Sequence, residues 1–157
     1  MGPMAEVVFR STQYLSDEDL RAMAVFLKAL PKTETRDRPE FLDNPGLSRI
    51  SGGQKIYERE CAQCHGDNGE GAPGAYPALA GNRAVTMPVT ANLIRVVLSG
   101  GFLPATAGNP RPFGMPPFAH VLSDDDVAAV ITHIRGAWGN GAAPVSQLQV
   151  MRARRSD

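Results

Sequence analysis

The chain's only two cysteines, Cys61 and Cys64, are spaced C-x-x-C, and His65 follows at once. Thiols at that spacing can close a redox disulfide, supply half of a four-ligand zinc site, or add across the vinyl groups of a haem. A zinc site would need a second cysteine pair, and a thioredoxin-like motif would need a strand leading into it. The sequence provides neither. The adjacent imidazole favours haem: two thioethers hold the macrocycle and set the histidine beneath the iron as an axial ligand.

An iron that only exchanges electrons needs a sixth ligand, because an open position invites oxygen chemistry. Residues 102–118 carry Pro104, Pro110, Pro112, Pro116 and Pro117, which force an extended loop, and Met115 lies within it. A rigid loop before the last helix can hold a thioether over the haem, so Met115 is the expected ligand, although methionines more often fill cores. Met87, also followed by proline, is the second choice. His120, near a helix cap, and His133, among apolar helix positions, read as structural.

The elements that must position these groups are helical, joined by Pro/Gly-rich connections, so the fold class is all-α. A helix from about Ser48 to Glu60, with Ile50, Gly53 and Tyr57 on one face, should deliver the cysteines. Gly66 to Asn82 reads as a loop around the haem edge. Within it the Pro77 carbonyl could accept the ring N–H of His65 and fix its tautomer, the alternative being a plain turn residue. A helix from about Thr90 to Leu98 buries Leu93, Ile94, Val97 and Leu98 as haem pocket or support, and Gly100 and Gly101 stop it. Ser123 caps a last helix, with Asp124, Asp125 and Asp126 in its first turn as a solvated cap. Its apolar face is Val127, Val130, Ile131 and Ile134, and it should end near Trp138, a core closure. Tyr57 would pack where the first and last helices of this domain cross, with Gly53 permitting close approach.

An internal repeat adds to this plan. Leu15-Ser-Asp-Glu-Asp-Leu20 matches Leu122-Ser-Asp-Asp-Asp-Val127, and the offset continues through Ala22/Ala129, Met23/Val130 and Leu27/Ile134. Residues 1–31 therefore read as the tail of a preceding haem domain, 32–47 as a polar linker with Pro39 and Pro45, 48–140 as the haem domain and 141–157 as a mobile tail. The formal net charge is zero, from 16 Lys+Arg against 16 Asp+Glu, so no global field points to nucleic acid or an anionic membrane. No apolar run approaches the roughly 20 residues of a membrane-spanning helix.

Cys61-Ala-Gln-Cys64-His65-Gly66, Tyr76-Pro-Ala-Leu-Ala-Gly81, Met115-Pro-Pro-Phe118 and Leu122-Ser-Asp through Trp138-Gly-Asn140 resemble class I cytochrome c. More narrowly, they resemble the last haem domain of the three-haem cytochrome subunit of membrane-bound alcohol and gluconate dehydrogenases. The stretch from Gly2 to Pro31 resembles the end of that subunit's second haem domain, with Met4 at the position of the second haem's axial methionine. Only one of the three haem motifs is present. The resemblance implies one covalent haem c and a periplasmic carrier in a respiratory chain. It would take electrons from a dehydrogenase subunit and pass them to a quinone or terminal acceptor. Thioether attachment implies a compartment outside the reducing cytosol, hence a leader not seen in this sequence. The competing class is a five-coordinate haem protein that binds a small ligand or acts on peroxide.

Overall fold

The computed structural model describes residues 3–31 and 52–155, which fall into two compact units. The expected linker 32–47 and the helix start at Ser48 with Ile50 lie outside the described residues. One unit holds the N-terminal elements together with Leu103–Pro112; the other holds the remaining described residues, including every expected haem ligand.

In the first unit, helix α1 (Pro3–Arg10) leads through a 3-10 turn (Thr12–Tyr14) into α2 (Asp17–Ala29). Ser16 starts α2 by accepting the Asp19 N–H at 3.1 Å, and three carboxylates fill its first turn, where the helix dipole favours negative charge. Leu30-Pro31 ends it, since proline disfavours helical geometry at the residue before it. No residue of α2 is buried.

The second unit begins with α3 (Gly53–Glu60), followed by the single turn α4 (Ala62–His65) that carries the cysteines and histidine. After the 66–82 loop come α5 (Arg83–Thr86), capped by the Asn82 side chain, and α6 (Ala91–Ser99). Two short antiparallel strands, β1 (Gly101–Phe102) and β2 (Gly114–Met115), pair with Gly101 opposite Met115. Thus the proline-rich segment is pinched shut at its base by a small ladder.

Helix α7 (Asp124–Gly136) opens on a complete capping box, Ser123 and Asp126 each bonding the other's backbone N–H. It stops two residues before Trp138, whose φ of 51° is left-handed and incompatible with a continuing helix.

The core joins Ile56 and Tyr57 of α3, Ile94, Val97 and Leu98 of α6, and Val127, Val130, Ile131 and Ile134 of α7. Helices α3 and α7 meet where Gly53 lies against the Ala129 carbonyl; a Cβ at Gly53 would collide with that backbone and sit 3.1 Å from His133 Cβ.

The described part of the stretch 141–157, expected as a mobile tail, is instead ordered onto the core. Residues Gln147–Arg155 form helix α8, with Val145 and Val150 buried in the same core. Ser146 and Gln149 cap it, Ser146 Oγ accepting the Gln149 N–H at 3.3 Å and Gln149 Oε1 accepting the Ser146 N–H at 2.8 Å. That S-x-x-Q signal outweighs the Gly/Ala/Pro composition just before it.

Helix propensity alone would make Gly53→Ala stabilising by about 1 kcal/mol. Because the added methyl meets backbone rather than a yielding side chain, we expect a net loss of about 1–3 kcal/mol in chemical denaturation. A variant as stable as the parent would show that the crossing does not depend on glycine.

Candidate functional site

Helix α3 ends as the Cys61 N–H bonds the Tyr57 carbonyl at 2.9 Å, and the chain turns at once into α4. The Cys64 and His65 N–H groups both return to the Cys61 carbonyl, at 3.2 and 2.9 Å, so one turn presents both thiols and the imidazole together. Gly66, with φ of 78°, then releases the chain. Cys61 and Cys64 are half-buried thiols, and burial first, then Glu60 and Cys64, pushes the Cys61 thiol up to about 11.

His65 Nδ1 lies 3.0 Å from the Pro77 carbonyl oxygen. A carbonyl can only accept, so Nδ1 carries the proton and Nε2 keeps its lone pair for a metal. The loop between them is tied back on itself: Gly71 N–H bonds the His65 carbonyl at 2.7 Å, and the Leu79 and Ala80 N–H groups both reach the Gly69 carbonyl.

Met115 sits half-buried on β2, packed against the core edge with Leu79, Leu93 and Val96. Its backbone lies on Gly100, where φ is +65° and a Cβ would strike the Met115 carbonyl and come within 2.8 Å of Pro116 and Pro117. Gly100 therefore does more than stop α6. Two thiols on one turn, an imidazole with a committed Nδ1 and a half-buried thioether suit a covalently held haem. Among the described residues no group of three or more His, Cys, Asp or Glu side chains gathers to hold a bare metal ion.

The other sequence candidates divide. Tyr57 is fully buried at the helix crossing, its ring 4.9 Å from Trp138 and 5.6 Å from His133, and its hydroxyl donates to the Gly66 carbonyl at 2.6 Å. Desolvation first, then nearby Cys61, Glu70 and Asp67, pushes its hydroxyl up to about 12. Ile94 and Val97 belong to the core, and Leu93 lies at its edge. Met87 is 43% exposed and Met4 68% exposed. His120 is exposed, whereas His133 stacks in the aromatic cluster. Of the acidic first turn, Asp125 is exposed, but Asp124 is half-buried and pairs with Arg154 at 2.7 Å.

Sequence reading missed two polar hubs, one holding α5 and one holding the end of the 66–82 loop. Arg135, 1% exposed, sends its guanidinium to the carbonyls of Val85, Met87 (2.9 Å) and Ala143 (2.6 Å). Asn140 donates to the Leu79 and Ile134 carbonyls and accepts from the Gly81 N–H at 2.8 Å. Arg135 falls on the buried stripe of α7, one position past Ile134, and that placement was the available signal.

The family model described as Cytochrome c matches residues 50–138. The chain is 37% identical over 96% of its length to the cytochrome c subunit of alcohol dehydrogenase (quinone) from Gluconobacter oxydans. It is 34% identical over 99% of its length to the gluconate 2-dehydrogenase cytochrome c subunit of Pantoea cypripedii. It spans 34% and 37% of those two proteins. Cytochrome c-552 of Thermus thermophilus is 36% identical over 65% of this chain and 83% of its own length. The chain belongs to the cytochrome c family: it is an all-α electron carrier whose family binds haem c covalently.

His133 gives the site's surroundings a pH dependence. Burial lowers its pKa below the ordinary value of 6.5, with Glu58 opposing weakly. A half-buried histidine held neutral stabilises the fold fully above its unfolded pKa, and that stability is lost as pH falls through 6.5 toward the folded pKa. Denaturation midpoints should therefore decline below pH 6.5 and decline less in His133→Gln. Parallel curves for the two proteins would rule His133 out as the cause.

Proposed function

We propose that the chain passes single electrons through one haem held by Cys61 and Cys64, with His65 and Met115 as axial ligands. The hydrogen bond from His65 to the Pro77 carbonyl carries this reading, because it leaves Nε2 free for iron and fixes the plane of the ring. When bound, the haem supplies a one-electron couple between ferrous and ferric iron, whose potential a thioether ligand raises. The chain's residues do the rest: the thiols attach, His65 is held against rotation, and Met115 is offered from a paired strand at the edge of the same apolar core that Cys61 packs against. Such an environment keeps solvent reorganisation small on electron transfer.

The setting we propose is a dehydrogenase complex in the periplasm, with the dehydrogenase as donor and a quinone or terminal acceptor downstream. The dehydrogenase-subunit relatives support this, since the chain aligns along nearly its whole length with about a third of each. No helix among the described residues is long and apolar enough to cross a membrane.

The repeated helix supports a second element of the proposal, that residues 1–31 close a preceding haem domain. Helices α2 and α7 are each 13 residues long and begin with the same Ser-to-Asp cap. Leu20, Met23 and Leu27 of α2 are 39%, 48% and 61% exposed, while their counterparts Val127, Val130 and Ile134 are buried in the core. The same face thus has a mate in one copy and stands open in the other.

Visible spectra test the ligand set. The oxidised protein should show the weak long-wavelength band of Met-ligated ferric haem; Met115→Ala should lose it, bind carbon monoxide readily when reduced, and have a lower potential. Spectra unchanged by Met115→Ala would remove Met115 as ligand, and a parent that takes up carbon monoxide as fast as Met115→Ala would favour a five-coordinate site. Deleting residues 1–31 should leave haem content and melting temperature of the remaining domain unchanged; a marked loss of either would mean the segment belongs to this domain.

A further inference from the structure

We propose that Arg154 is a positioning residue for the axial methionine, acting through the turn that follows Met115. This rests on the assignment of Met115 as ligand. Pro116 and Pro117 follow Met115 and have no N–H, so the backbone just past the thioether cannot be tied down by its own donors. The first donors available are Phe118 and Ala119, whose N–H groups bond the Val97 and Leu98 carbonyls at the end of α6, at 3.1 and 3.0 Å. The acceptor side of the same turn is held by Arg154: Nη1 donates to the Ala119 carbonyl at 2.6 Å, Nη2 to the Leu122 carbonyl at 3.1 Å, and Nε to Asp124 Oδ1 at 2.7 Å. Three nitrogens of one planar group span the turn from its start to the first residue of α7, a geometry that a lysine ammonium does not reproduce.

Helix α8 makes this clamp rigid. Val150 is fully buried and Val145 nearly so, and Val145 is pinned to α7 as its N–H bonds Thr132 Oγ1 at 2.9 Å. Gln149 Nε2 reaches Thr90 Oγ1 at the start of α6 at 3.4 Å. The helix therefore carries Arg154 on a frame fixed to both α6 and α7. It lies wholly beyond the residues matched by the family model, which end at residue 138. The clamp is an addition to the domain that limits how far the Met115 strand can lift.

The test uses the full-length haem-loaded protein and two local readouts: the rate at which the reduced protein takes up carbon monoxide, and amide exchange at Phe118 and Ala119 relative to Val130 and Ile131 in the core of α7, which report any loss of global stability. Arg154→Ala should speed carbon monoxide uptake about tenfold, the equivalent of about 1.4 kcal/mol, and lose amide protection at both positions. Arg154→Lys, which keeps the charge opposite Asp124, should fall between, at about threefold, and carries the test if the alanine variant does not fold. Arg152→Ala, an exposed change on the same helix, should match the parent. A lower melting temperature in the Arg154 variants with uptake and exchange unchanged would overturn the proposal, leaving Arg154 a structural residue only. Equal uptake in the parent and Met115→Ala would instead remove the ligand assignment, and the clamp's role at the iron with it.

Discussion

The domain depends on how closely α3 and α7 can cross. The chemistry sits in the turn after α3, and that turn can be aimed only if α3 itself is fixed. Gly53 brings the two backbones together at Ala129, and Tyr57, one turn further along, fills the space beyond with a ring set against His133 and Trp138. The Tyr57 hydroxyl then bonds the Gly66 carbonyl, just past His65. A single buried side chain thus links the crossing to the end of the haem-attachment turn, which is why a glycine two turns away bears on the placement of the thiols.

The opposite wall is held by different means. The end of the loop carrying Pro77 and Leu79 is held through its backbone by Asn140, and the α5 segment that follows it by Arg135. Arg135 and Asn140 reach carbonyls in the 79–87 segment that no regular element could satisfy. Burying a guanidinium is costly unless its donors are met, and here the carbonyls of Val85, Met87 and Ala143 meet them. Near Met115 the same problem is solved with Gly100, a two-residue strand pair and the bonds from Phe118 and Ala119 to α6.

The family and the all-α class could be read from the sequence because their signals are local. C-x-x-C-H is complete in five residues, and the Ser16 and Ser123 caps are settled within four, so neither depends on what the chain packs against. Gly53 and Pro77 were also legible as points of approach, since the structure places the first against Ala129 and the second beside His65. The hidden parts are those whose partners are distant in sequence. Arg135 falls on the buried stripe of α7, but its partner, the Val85 carbonyl, lies fifty positions away, where no local pattern points to it. Helix α8 buries only Val150, too little for an apolar period, and its capping pair Ser146 and Gln149 is obscured by the Gly/Ala/Pro run before it. The strand pair at Gly101 and Gly114 is too short to alternate.

The crossing at Gly53 also shapes how the domain can come apart. It joins the helix at the start of the haem unit to one near its end, so the loop, the short helices and the methionine strand all lie inside one long closed circuit. Closing such a circuit carries its entropy cost once, and every contact within it shares the benefit. Opening at the crossing therefore frees the attachment turn from the rest of the unit, whereas a loosened turn elsewhere leaves both ends of the unit joined. The fold behaves less like a row of helices than like a clasp, with its catch far from the chemistry it secures.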